Sequence, residues 1–583
     1  MATFRIDLIK RYLKPHKRVL VLGAISLVLV NILSVAIPFE VRRVIDGLKE
    51  EFAFNDVLHQ SGWIIFLASV MALVRLCSRQ LVFGVGRKVE VDLRQKLFNH
   101  MLIQDPGWVQ EIGSGEVITR ATSDIENIRR LLGFAILSLT NTFLAYAFTI
   151  PAMIAINPWL TLASVSLYPL MLGIVRLFGG RMVSQRRRQQ EALSSLSELI
   201  QEDLSGISAI KIYGQEKAEA EAFSKLNGNY KNAAINLAKT ASTLFPLLQG
   251  ISSISLLLIL ALGSGLIEGG YLTIGGLIAL ILYVERLVFP TALLGFTLNT
   301  FQLGQVSLER VEELLNNTPS IIDKSNSRKI NAKVKGKLEA KGLCINYKDS
   351  QRSILNKLDF VINPGELVAI VGPVGCGKTT LARALGRMVH VPQGQLFLDN
   401  IDITDLKLEE LRKNIALVPQ EGYLFTNTLE NNIRYGSPNA SIGRVKRSAS
   451  EANLEEDIKG FPDGLKTLVG ERGITLSGGQ RQRASLGRAL LIDSPIIVLD
   501  DALASVDNKT ASGILSSIRS KANKTIVMIS HQLSAAAACD RILVLSEGKL
   551  VQEGTHENLI QINGVYKNLW ERQKATEAID RQQ

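Results

Sequence analysis

The stretch Gly372-Pro373-Val374-Gly375-Cys376-Gly377-Lys378-Thr379-Thr380 follows an apolar run, Leu367 to Val371, and precedes a helix-forming segment from Leu381. Strand, glycine-rich turn and helix in that order make a phosphate-binding loop. Successive backbone N–H groups of such a turn form a concave anion site, strengthened by the positive end of the helix. Gly372, Gly375 and Gly377 let the backbone bend sharply and come close to the phosphates without a Cβ in the way. Lys378 is expected to reach the β- and γ-phosphates of a nucleotide, with the Thr379 hydroxyl on Mg²⁺ and Thr380 completing the cradle. Cys376 sits near a helix N-terminus and a lysine, conditions that lower a thiol pKa. We read it as a small residue filling the loop rather than as a redox switch.

A phosphate loop needs a metal partner. Ile496-Ile497-Val498-Leu499-Asp500-Asp501 supplies one, a buried strand ending in two carboxylates. Asp500 is placed to hold Mg²⁺ through water, and Asp501 stands where a base would polarise the attacking water. The apolar run Ile526 to Ile529 ends at Ser530-His531, which makes His531 a candidate for contact with the γ-phosphate. A second glycine-rich helix start, Leu476-Ser477-Gly478-Gly479-Gln480, opens a helix through Arg481 and Arg488. Serine at the N-cap with two glycines gives another helix end able to bind anions.

These groups must be positioned by a chain of 583 residues, too long for one core. Its composition is 47% hydrophobic with 21% charge and a mean hydropathy of +0.18, a mixture that implies a membrane half joined to a soluble half. The net charge of +12 lies largely beside apolar runs, at Lys10, Arg11, Lys14, Lys17 and Arg18 and again at Arg181 to Arg188. That placement fits attraction to lipid headgroups and the positive-inside rule, so membrane lipid is an expected partner and nucleic acid is not. Cys77, Cys344, Cys376 and Cys539 have no paired spacing, so neither a disulfide framework nor a zinc site is read.

Residues 1–18 read as a basic amphipathic elbow helix, with Phe4, Ile6, Leu8, Ile9 and Leu13 available to lipid. The transmembrane domain, 19–315, has six apolar stretches near 19–38, 62–83, 132–156, 158–178, 244–267 and 273–298. The joins after the third and fifth carry no Lys or Arg, whereas 84–131 and 179–243 are long, polar and rich in Lys and Arg. The short loops therefore face out and the long ones the cytoplasm, as helical extensions of the spans. Arg75 is expected to snorkel, Glu285 to face water and sense cationic substrate, and Pro151, Pro169, Pro246 and Pro290 to bend helices. A linker at 316–336 leads to an α/β nucleotide-binding domain at 337–572, with strands at Ile415–Val418, Ile496–Leu499, Ile526–Ile529 and Ile542–Leu545. A polar, loosely held tail is expected at 573–583.

With LSGGQ at 476–480 joined to the lysine loop and the Ile496–Asp501 strand, nearly the whole chain resembles the ATP-binding cassette (ABC) transporters, and specifically exporter-type half-transporters. Tyr347 resembles the aromatic that stacks on adenine. Gln420, in Val418-Pro419-Gln420, resembles the family's glutamine at the metal and the reaction site. Gly470-Glu471-Arg472-Gly473 resembles a segment typical of exporters. Gln104-Asp105-Pro106 with Gly115 to Arg120, and Gly206 to Gly214, resemble the two cytoplasmic loops whose short coupling helices dock on nucleotide domains.

The resemblance implies an all-α six-helix membrane domain followed by an α/β P-loop domain. It further implies a multi-pass protein of the bacterial inner membrane and an ATP-driven exporter of small hydrophobic or amphipathic substrates. One membrane half with one ATPase half needs a second half-transporter, and Ser477, Gly478, Gly479 and Gln480 would then close on the partner's ATP. The chain departs from the family at Asp501, where glutamate is usual, and at Ala504-Ser505-Val506-Asp507. That combination resembles the weak-site subunit of heterodimeric exporters; a slowly hydrolysing homodimer is the other arrangement. A lipid flippase and a scarcely hydrolysing, nucleotide-responsive scaffold are the alternatives for function.

Overall fold

The computed structural model describes residues 6–48, 54–330, 332–346, 353–503, 508–519 and 524–580. They form two compact units, one of residues 1–102 with 113–317 and one of 103–112 with 318–583.

In the first unit, six helical stretches are long and apolar enough to cross a membrane: Asp7–Gly47, Val57–Ile103, Ser114–Ile156, Pro158–Ser205, Glu216–Glu268 and Ile274–Asn316. At ~1.5 Å per residue the Glu216–Glu268 helix, with 53 residues, is over twice the ~30 Å of a hydrocarbon core. The expected spans are thus the apolar parts of longer rods. Their ends are capped by the residues that break the apolar pattern. The Asn157 side chain accepts from Leu160 N with Pro158 in the first turn, and Thr273 accepts from Gly276 N. Pro38, Pro151, Pro246 and Pro290 lie inside helices. Pro169 instead opens Tyr168–Ser205 after Pro158–Val165 has ended, so the fourth span is two helices rather than one bent helix. Met153, Leu160, Met171, Ile259, Leu280, Tyr283 and Leu287 form the bundle core, while Phe143 and Trp159 are 72% and 77% exposed on the face left for lipid.

The second unit holds two sheets. Strands β1 (Leu338–Asn346), β2 (Ser353–Ile362), β4 (Leu396–Leu398) and β5 (Ile401–Asp402) form an antiparallel sheet in the order β2-β1-β4-β5; β3 is Leu367–Val371. The central sheet has the order β12-β11-β3-β10-β9-β6, where β6 is Ile415–Val418, β9 Ile496–Asp500, β10 Thr525–Ile529, β11 Arg541–Ser546 and β12 Lys549–Gly554; a small pair, β7 (Asn427–Thr428) and β8 (Leu468–Val469), stands apart. From β11 to β6 the strands run parallel. Every residue of β3, β9 and β10 is buried, and alternate residues feed two cores. Val368, Ile370, Ile496 and Val498 point into one core, and Leu367, Ala369, Ile497 and Leu499 into the other. Burial on both faces explains the unbroken apolar runs in the sequence.

Two segments read as connections are fastened down. Asp105, before the short helix Pro106–Ile112, accepts from Ser320 N, Ser320 Oγ and Ile321 N at 2.9, 2.6 and 3.2 Å, so 103–112 is built into the nucleotide-binding unit. The 316–336 stretch is tied on by Arg328 N to Asp405 O and by Leu408 N to Asp323 Oδ1, each 2.8 Å. Of the tail expected to be loose, residues 573–580 continue the helix Val565–Asp580, and Gln573 Oε1 accepts from Leu533 N at 2.8 Å. A single well-placed glutamine anchors it, which its polar composition does not reveal.

Candidate nucleotide site

The loop leaves β3 at Val371 and enters the helix Lys378–Leu385; Gly372, Gly375 and Gly377 have φ of +154°, +82° and +100°. Two of these glycines are fixed by sterics as well as by dihedral. A Cβ on Gly372 would stand 2.1 Å from the Leu545 carbonyl oxygen, and one on Gly377 would stand 2.6 Å from Leu355 Cδ2. Cys376 is buried behind the loop with its Sγ 3.8 Å from Lys378 Nζ, and it packs in the core with Leu381 and Leu385. The structure thus gives it a filling role. Lys378 is itself buried, its ammonium donating to Gly372 O at 2.8 Å and Pro373 O at 2.9 Å. The cation is held inside the loop with carbonyl partners that a phosphate can replace.

Because β3 and β9 flank β10, the loop, Asp500 and His531 all emerge at the C-terminal ends of adjacent parallel strands, where open α/β sheets bind ligands. Thr379 Oγ1 donates to Asp500 Oδ1 at 3.2 Å. Burial pushes the Asp500 carboxyl above its ordinary value, against the Thr379 hydrogen bond and the Arg383 charge. Among the described residues no group of three or more His, Cys, Asp or Glu side chains gathers to form a metal cage. A hydroxyl and one buried carboxylate suit Mg²⁺, which keeps waters and takes its other ligands from phosphates, so Thr379 and Asp500 fit the ion that accompanies ATP. Bound there, the ion would neutralise phosphate charge.

Asp501 is buried with φ +50°; its N–H donates to Ile529 O at 2.9 Å, and Oδ1 accepts from His531 N at 3.3 Å. The His531 ring is exposed, so the backbone joins these two candidates and leaves the imidazole open. The Gln420 side chain is also exposed, while its carbonyl accepts from Gln482 Nε2 at 3.3 Å, tying that loop to the LSGGQ helix. Tyr347 lies outside the described residues, as do 504–507.

The LSGGQ helix is Gly478–Ile492, capped reciprocally: Ser477 Oγ accepts from Gln480 N at 3.2 Å, and Gln480 Oε1 accepts from Ser477 N at 2.9 Å. The serine hydroxyl hydrogen is left over. Ser477 and Gly478 are exposed, so this helix end is presented to whatever lies beyond the chain. The phosphate loop belongs to a different packing cluster from the one around Leu476, Ala484 and Leu491.

One residue that the sequence did not disclose also holds this helix. Asp457 accepts from Gln480 Nε2 at 3.0 Å and from Arg483 Nη2 at 2.7 Å. It lies in an ordinary acidic helix start, Glu455-Glu456-Asp457, which gives no hint of the contact. Asp457→Ala removes hydrogen bonds to a charged group worth ~1.5–3 kcal/mol. Steady-state ATPase should fall on the order of tenfold, with ATP affinity of the chain's own loop unchanged in a nucleotide titration.

Two families of comparison agree with this geometry. Residues 20–291 match the ABC transporter transmembrane region and residues 355–504 match the ABC transporter nucleotide-binding family. The chain is 33% identical, over 92% of its length and 93% of the relative, to a multidrug resistance-like ATP-binding protein, MdlA, of Buchnera aphidicola. It is 29% identical to an ATP-dependent lipid A-core flippase of Syntrophus aciditrophicus, covering 97% of this chain and 94% of the relative. The solved structure of a bacterial Atm1-family ABC exporter with ATP bound superposes with a TM-score of 0.77 at 26% identity, covering 95% of this chain and 99% of that one. The chain belongs to the ABC transporter family, as an exporter-type half-transporter of the bacterial inner membrane that uses ATP, normally with Mg²⁺, to drive transport.

Proposed function

We propose that the chain exports amphipathic compounds as half of a dimer in which its Ser477 helix end completes the partner's ATP site. The observation that carries this is the exposed, reciprocally capped N-terminus at Ser477, whose hydroxyl hydrogen is given no acceptor among the described residues. The short helix Ile207–Tyr213 fits the same reading. Ile212 and Tyr213 are 77% and 75% exposed there, an apolar tip suited to docking on a nucleotide-binding domain. ATP closes the two nucleotide domains, the docked tips carry that movement to the spans, and hydrolysis resets them. Net transport requires that the substrate bind the two states with different affinity.

The own loop of this chain is the slow one, because Asp501 is a methylene shorter than glutamate and its Oδ1 is turned to His531 N. A heterodimer with a glutamate-bearing half is therefore favoured over a homodimer. Purification from the native membrane should bring down a second half-transporter. Asp501→Asn should then leave steady-state ATPase nearly unchanged. A lone species whose ATPase that substitution abolishes is the homodimer.

One observation favours an anionic amphiphile, including a lipid, as cargo. The charge turned into the bundle is Arg286 rather than Glu285, whose side chain is exposed. Arg286 Nη2 donates to Asn31 Oδ1 at 2.9 Å, Asn31 Nδ2 donates to Asn141 Oδ1 at 3.2 Å, and Arg286 Nη1 is buried without a partner among the described residues. A guanidinium with a buried N–H left over among apolar helices calls for an anion. Phosphatidic acid should stimulate ATPase more than a cationic lipid of the same chains, and Arg286→Gln should remove that preference. Equal stimulation by both lipids leaves the multidrug-type reading.

A further inference from the structure

The helix Ile6–Leu13 does not use its apolar side for lipid alone. Ile9 is buried, and Tyr12 and Leu13 are half-buried, so that side is closed against the protein. What faces out is charge: Lys10 and Arg11 on this helix and Lys14, Lys17 and Arg18 just after it, against one exposed carboxylate, Asp7. Tyr12 and Arg11 meet Glu312, five residues before the chain leaves the membrane unit after Asn317. The Tyr12 hydroxyl donates to Glu312 Oε1, and Arg11 Nη1 stands 3.5 Å from Oε2. Glu312 is 6% exposed, and Tyr12 and Arg11 both reach it from the N-terminal helix. The Tyr12 ring also lies under Lys96 Nζ, 5.9 Å from the ring centre.

We infer that this helix is a sensor of anionic lipid in the cytoplasmic leaflet, and that Tyr12 and Glu312 relay its engagement to the last turns of the sixth membrane helix. The occupant follows from charge and place. Five exposed cations cluster where the first span begins, and each Lys or Arg near a phosphate-bearing surface adds to the attraction. Arg11 is the hinge of the relay. Its side chain is 69% exposed and its contact with Glu312 is long, so a headgroup phosphate can share the guanidinium while Tyr12 keeps the buried carboxylate partnered. The sixth helix ends at Asn316 and the chain runs on into the nucleotide-binding unit, so stiffening its final turns gives lipid charge a lever on the transport cycle. This goes beyond the transport reading and does not depend on which site hydrolyses ATP.

The test is amide hydrogen exchange of the full chain, in its native assembly, in nanodiscs of phosphatidylcholine with and without phosphatidylglycerol. In the unmodified protein, phosphatidylglycerol should slow exchange about tenfold both in residues 8–13 and in residues 308–314. Lys10→Gln, Lys14→Gln and Lys17→Gln together should abolish both responses. Glu312→Met, which keeps side-chain length while removing both contacts, should retain the response at 8–13 and lose it at 308–314; Tyr12→Phe should do the same should the first variant fold poorly. The proposal is overturned by residues 308–314 exchanging alike in both discs, by their lipid response surviving in these relay variants, or by the charge-stripped chain still responding. None of these readouts requires hydrolysis, so failure here is distinct from failure of the dimer reading.

Discussion

Asp501→Glu is expected to raise the rate at which this chain's own phosphate loop cleaves ATP, by roughly tenfold to 100-fold. Asp501 directly follows β9 with φ +50°, its N–H donates to Ile529 O, and its carboxylate accepts from His531 N. One more methylene would carry the oxygens past that amide, toward where the attacking water must sit. An ångström of misplacement costs about a hundredfold in rate, which sets the upper limit of the gain. Single-turnover cleavage of radiolabelled ATP, with the partner's site inactivated, measures it. An unchanged rate would overturn the reading that the missing methylene weakens this site.

Lys378→Met is expected to weaken ATP binding to the same loop by about a hundredfold, the loss of one or two charge-assisted bonds of ~1.5–3 kcal/mol each. The ammonium is buried and engaged with the carbonyls of Gly372 and Pro373, so in the free protein it is both desolvated and in place. Methionine keeps much of the stem's volume within the core beside Cys376 and Leu381, and the melting temperature without nucleotide should therefore move little. A fluorescent-ATP titration together with a thermal melt separates loss of the phosphate contact from loss of the fold.

Much of this site is legible in the sequence because backbone geometry dictates it. The Gly372 and Gly377 positions admit no Cβ, Ser477 and Gln480 cap each other across a fixed spacing, and the buried strands read as unbroken apolar runs. What was not legible depends on partners far apart in the chain. Asp457 grips Gln480 and Arg483, Asp105 receives Ser320, Gln573 receives Leu533, and Arg286 turns inward onto Asn31. No local periodicity encodes such pairs. The charge pattern of the sixth span is a clear instance: Glu285 and Arg286 are neighbours in sequence, and only the helix phase decides which meets the bundle.

The proposed cycle requires the Ser477 helix end to reach another protomer's triphosphate. The direct measurement is photolabelling with ATP carrying an azidoanilide on its γ-phosphate, in dimers where this chain bears Lys378→Met and its partner's loop is intact. Label should attach to the peptide containing Ser477 of this chain and should vanish when the partner's loop is disabled instead. Labelling of that peptide that is lost with Lys378→Met and indifferent to the partner's loop would contradict the account.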